Sequence, residues 1–70
     1  MSVGKQIKLL RVELEISQNH LAKLLGVTAT AVYNWESNRK KLSVKMAQAL
    51  IKIAKEKGIT LSLDQLYKED

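Results

Sequence analysis

Few residues in this 70-residue chain are equipped for covalent chemistry. Cysteine is absent, which excludes disulfides and thiolate metal sites together. The single histidine, His20, has no second histidine or cysteine to share a metal with, and reads as a surface residue. Serine, histidine and aspartate do not combine into a nucleophilic set, and no glycine-rich run is present to cradle a phosphate. The side chains that remain are suited to hydrogen bonding and charge. Asn34 and Gln18 carry amides that donate and accept, Thr30 a hydroxyl, and Tyr33 a phenol. Arg39, Lys40 and Lys41 form a cationic run, with Lys45 close behind. Together these describe a binding surface, so no catalytic residue, cofactor or metal is expected.

The placement of charge narrows the partner. The net charge is +5, from 12 basic and 7 acidic residues. Segment 16–45 holds Lys23, Arg39, Lys40, Lys41 and Lys45 against one acid, Glu36, while Asp64, Glu69 and Asp70 collect near the end. A basic middle of this kind suits a polyanion such as DNA, although charge alone is equally consistent with a solvated basic face.

Apolar spacing shows what positions these groups. Val3, Ile7, Leu10 and Leu14 recur at three- and four-residue intervals, the period of a helix with one buried face. Ser17 caps a predicted second helix, with Leu21, Ala22 and Leu25 inward, and Gly26 ends it. Thr28 caps a third from about Ala29 to Ser37, with Val32 and Trp35 inward and Asn38 as its stop. Ser43 caps a fourth, about Val44 to Lys57, whose stripe is Met46, Ala47, Leu50, Ile51, Ile53 and Ala54, with Gly58 after it. Ser62 caps a short fifth near Leu63–Tyr67, while Ile59–Leu63 alternates over too short a run to define a strand. The expectation is an all-α compact bundle of about five helices, one domain over residues 1–70. A chain this short gains stability from helix packing or from a partner subunit. It has no signal-peptide pattern, since Arg11 and Glu13 follow Lys5 and Lys8, and no apolar run approaches the roughly 20 residues of a membrane span.

Between Gln18 and Arg39 two short helices flank the turn Gly26-Val27-Thr28. Ala22 is small where the third helix crosses the second, and Val27 plugs the corner. With Val32 and Trp35 inward, Ala29, Thr30, Tyr33 and Asn34 are left on the outer face. This stretch, SQxxLAxxLGV-T-xxxVxxWE from Ser17 to Glu36, resembles the lambda-repressor-like family of helix-turn-helix proteins, also called the Cro/repressor or Xre family. The likeness extends upstream through IKxLRxxxxIS (Ile7 to Ser17) and downstream through the fourth helix, covering roughly residues 5–66. Departures are Asn38, where the family often has glycine, and Ser43, where it often has proline; both remain workable caps.

The resemblance implies a sequence-specific transcriptional regulator, most simply a repressor, with its third helix in the major groove of double-stranded DNA. Asn34 then suits the adenine edge, and Ala29 and Thr30 the thymine methyl. Tyr33 either contacts a base or sugar-phosphate wall or packs on the helix surface. Gln18, Arg39, Lys40, Lys41 and Lys45 fall to phosphates, although Lys40 or Lys41 alone reads equally as solvated. Arg11 and Glu36 stand where the family pairs its first helix with the end of its third. Ile59, Leu61, Leu63, Leu66 and Tyr67 give more apolar surface than one small core needs, and compact family members dimerise there. A homodimer on a palindromic operator is expected, with no membrane and no small-molecule ligand. Since the family is commonest in bacteria and phages, a cytoplasmic, nucleoid-associated location follows by resemblance. The alternative is an antitoxin or protein-interaction module on the same fold, but a docking face would be more apolar than this polar, cationic one.

Overall fold

A computed structural model describes residues 3–67, with the Tyr67 side chain outside that description. Five α-helices follow one another: α1 (Val3–Glu13), α2 (Gln18–Leu25), α3 (Ala29–Glu36), α4 (Val44–Glu56) and α5 (Leu63–Tyr67). The described residues contain no strand, so the architecture is all-helical. None of these helices is long and apolar enough to cross a membrane.

The starts of α2, α3, α4 and α5 are each fixed by a hydroxyl. The side chains of Ser17, Thr28 and Ser43 accept the backbone N–H of His20, Ala31 and Met46, satisfying donors that a helix end leaves unpaired. Ser62 does the same for the N–H of Gln65, whose side-chain Oε1 accepts the Ser62 N–H in return, a reciprocal capping box. The stops use the left-handed conformation. Gly26 ends α2 at φ 72° without steric cost, and Asn38 stands at φ 62° just beyond α3. The third helix therefore ends at Glu36, one residue earlier than its spacing predicts, with Ser37 as the C-cap. Glu15, at φ 57°, turns the chain out of α1 although its type gives no such signal. There the Ile16 N–H bonds back to the Arg11 carbonyl at 3.2 Å.

The inward stripes meet in one core of Ile7, Leu10, Leu21, Ala22, Val32, Trp35, Leu42, Ala47, Leu50, Ala54 and Leu66. Met46, Ile51 and Ile53 pack partly buried at its edge. Two members depart from the sequence reading. Leu42, assigned to no helix, is buried in the connection between α3 and α4 and anchors it. Leu66, expected at a dimer surface, is fully buried within the protomer. The short α5 folds this leucine back onto the core, so its side chain is closed to any second chain.

Candidate nucleic-acid interface

Thr28 and Gly26 aim α3 by fixing where it starts and where α2 ends. Val32 and Trp35, 0% and 8% exposed, then hold its inner face against the bundle. Helical geometry turns the remaining positions outward. Thr30 and Tyr33 are exposed and Asn34 is half-buried. The side-chain amide of Asn34 makes no hydrogen bond to another described residue, so both its donor and its acceptor are available. Ala29 sits differently from expectation. It is half-buried and packs against the core, which leaves only part of its methyl on the outer face.

Cations border this face. The run Arg39, Lys40, Lys41 follows α3 directly and is exposed, as is Lys45 in the first turn of α4. It is folded back tightly, with the Arg39 and Lys40 N–H groups both donating to the Asn34 carbonyl, at 2.8 and 3.3 Å. The Arg39 guanidinium lies 5.9 Å from the centre of the Tyr33 ring, at the outer limit of a cation–π contact, so phenol and cation occupy one edge of the face. Lys8 of α1 also reaches this face, lining a shallow notch of about 200 Å³ with Gln18, Tyr33, Glu36 and Ser37. Lys8 escaped the sequence reading because its neighbours in the notch come from three helices. Its polar place outside the Ile7 and Leu10 stripe is the only local signal.

Beneath the notch lies the ion pair expected from the sequence. Arg11 Nε and a terminal Arg11 nitrogen reach the two Glu36 oxygens at 2.8 and 3.2 Å, a bidentate geometry. The other terminal nitrogen donates to the Ile16 carbonyl at 3.1 Å. The two side chains are only 16% and 6% exposed, and the hydrogen bond to Glu36 raises the Arg11 pKa further. Gln18 joins the cluster, its Nε2 donating to Glu36 at 3.2 Å. That commits one of its two N–H groups inside the protein and leaves one for an outside acceptor.

A second clamp was not legible in the sequence. The Gly4 N–H donates to Asn38 Oδ1 at 3.0 Å, tying the start of α1 to the residue just past α3. The backbones approach so closely that a methyl group on Gly4 would collide with the Trp35 and Glu36 carbonyls. Asn38 thus supplies both the left-handed turn and the acceptor, which a glycine there could not do.

Away from the α3 face, Ile59 and Leu61 are half-buried and Leu63 is 39% exposed. Of the residues expected at a dimer surface these three keep accessible apolar area, while Leu66 does not and the Tyr67 side chain lies outside the described residues. His20 is exposed, and among the described residues no cluster of histidines and carboxylates is able to hold a metal ion.

A helix-turn-helix family model matches residues 7–61, which spans all of α1 but its first turn and everything from there into the loop before α5. The chain belongs to the lambda-repressor-like helix-turn-helix family. This is a family of DNA-binding transcriptional regulators. A similar solved structure is the P22 c2 repressor, described in complex with a synthetic operator in the presence of Tl⁺. That protein is 30% identical, with a TM-score of 0.78 over 100% of this chain and 98% of the other. No curated protein sequence matches significantly.

Proposed function

We propose that this protein is a sequence-specific transcriptional repressor that binds a palindromic operator as a homodimer, laying α3 in the major groove. The observation that carries the reading is the division of α3. One side is clamped into the protein, while the other offers Thr30, Tyr33 and the uncommitted Asn34 amide with exposed cations beside them. The major groove admits a helix of this kind and shows each base pair a distinct pattern. Asn34 reads an adenine edge in bidentate fashion, and Thr30, with what Ala29 leaves exposed, meets a thymine methyl. Arg39, Lys40, Lys41 and Lys45 hold phosphates, and Lys8 and the remaining Gln18 donor hold them as well. Phosphate contacts fix position, and base contacts give specificity.

Two protomers are joined through Ile59, Leu61 and Leu63. A protomer measuring 28 × 27 × 20 Å is of a size to place two copies of α3 in successive turns of the groove, about 34 Å apart. The likeness to a repressor crystallised with an operator supports the same use here.

Selection of bound sites from a random duplex pool tests this directly. Enriched sequences are expected to be two-fold symmetric, with half-site centres one helical turn apart. Recovery of no common sequence overturns the assignment of α3 as a reader of bases.

A further inference from the structure

Three separate stretches of chain wall a pocket of about 290 Å³. Leu14 and Ile16 come from the corner between α1 and α2, His20 and Leu24 from α2, and Ile53 and Lys57 from α4 and its C-cap. None of them belongs to α3 or to the residues assigned to DNA above. His20 and Leu24 stand four positions apart, so one face of α2 carries both. Leu14, Ile16 and Ile53 are half-buried, and Leu24 is left 50% exposed. The sequence reading expects no small-molecule ligand, and a pocket assembled from three stretches leaves no local pattern to contradict it.

The volume stands at the lower end of the ~300–1,000 Å³ typical of small-molecule sites, which are mostly apolar with a few polar groups that fix orientation. Here the polar groups are an imidazole and an ammonium, and no acid lines the pocket, although Glu15 and Glu56 are near in sequence. Neither the His20 ring nor the Lys57 ammonium has a partner among the described residues. The end of a helix ordinarily repels an anion through its free carbonyls. At the end of α4 these are occupied: the Ala54 carbonyl accepts the Lys57 and Ile59 N–H groups at 3.0 and 2.8 Å, and the Lys55 carbonyl accepts that of Gly58 at 3.0 Å. We infer that this pocket binds a small carboxylate with an apolar tail. The tail covers Leu14, Ile16, Leu24 and Ile53, and the carboxylate takes the Lys57 ammonium and the His20 ring N–H. One cation matches one negative charge, and a carboxylate accepts from two donors at once.

Titration of the full chain with octanoate, followed by backbone amide NMR shifts, tests it. Saturable shifts are expected at the six lining residues. Octanamide, of equal length and no charge, should bind about three- to five-fold more weakly, the scale of one exposed charge pair. Butyrate should bind more than ten-fold more weakly, because it lacks most of the tail. Lys57→Gln and His20→Ala should each weaken octanoate about three- to five-fold, and Leu24→Gln roughly five- to ten-fold. Lys52→Gln, an exposed change on α4 outside the pocket, should leave it unaltered. All four side chains are exposed, and circular dichroism melts check that each variant stays folded. Shifts that never saturate, or that spread over the whole surface, show adventitious binding only and overturn the site. Equal effects of Lys57→Gln and Lys52→Gln overturn the placement of the carboxylate. Shifts at the six residues that follow protein concentration without octanoate give the pocket to a second copy of the chain and overturn the ligand.

Discussion

Asn34 and Arg39 stand five positions apart and have opposite jobs in the proposed complex. Asn34→Ala should lose about 1–3 kcal/mol at one symmetric base pair per half-site and relax the preference there. Arg39→Gln or Lys8→Gln should weaken binding to every duplex alike and reduce the salt slope by roughly one counterion for each phosphate no longer neutralised. A salt titration against cognate and scrambled DNA separates the two classes. Equal loss on both DNAs for Asn34→Ala removes that residue from base reading. Inside the fold, Arg11→Met strands Glu36, which is 6% exposed, and should cost about 3 kcal/mol, the lower end for an orphaned buried charge. Lys40→Met should stay within about 0.5 kcal/mol, as surface changes usually do. Similar denaturant midpoints for the two variants would show Arg11 to be dispensable. This ion pair was legible in the sequence because the family motif marks both positions. Lys8 was not, because a notch assembled from three helices leaves no mark in the local spacing.

Helix ends were the most readable elements, since Ser17, Thr28, Ser43 and Ser62 are all residues whose side chains compete for backbone donors. The exits were less so. Glycine announces the left-handed turn at Gly26, but Glu15 takes the same conformation without any chemical reason to prefer it. Glu15→Gly should therefore stabilise the fold by about 0.5–1 kcal/mol, against a cost of roughly 1–2 for a side chain in that region. A thermal melt reads this as a rise of a few degrees in Tm. Gly4 should behave in the opposite sense. Glycine to alanine inside a helix ordinarily gains about 1 kcal/mol. Here the methyl meets the carbonyls at the end of α3, so Gly4→Ala should lower Tm. A raised Tm would show that α1 and α3 have room to part. The sequence is silent on this contact because it joins positions 34 apart.

At the scale of the molecule, the all-helical architecture followed from the 3.6-residue period. The division of apolar residues between core and surface did not. Leu61, Leu63 and Leu66 look alike in a short amphipathic tail, and only the fold shows that α5 spends Leu66 on its own core. The two leucines of α5 should accordingly part company. Leu63→Asp should leave the melt of the protomer near wild type and lower both self-association and operator affinity. Leu66→Asp buries a charge at a position with 0% exposure and should unfold the chain. Circular dichroism with sedimentation distinguishes them. A folded, monomeric Leu66→Asp variant would contradict the packing of α5. Leu42 teaches the same point in reverse, since an isolated leucine between charged and polar neighbours gives no period from which burial can be read.

The eight-residue α3 is too short to persist by itself in water, and it exists because α1 grips its far end. No group in that grip belongs to the side chain of Thr30, Tyr33 or Asn34. The grip is made by the Arg11 and Glu36 side chains, the Gly4 amide and the Asn38 side-chain oxygen. Heritable changes at Thr30, Tyr33 or Asn34 therefore leave the scaffold intact, and descendants of one gene are free to diverge in the sites they recognise while inheriting the same framework.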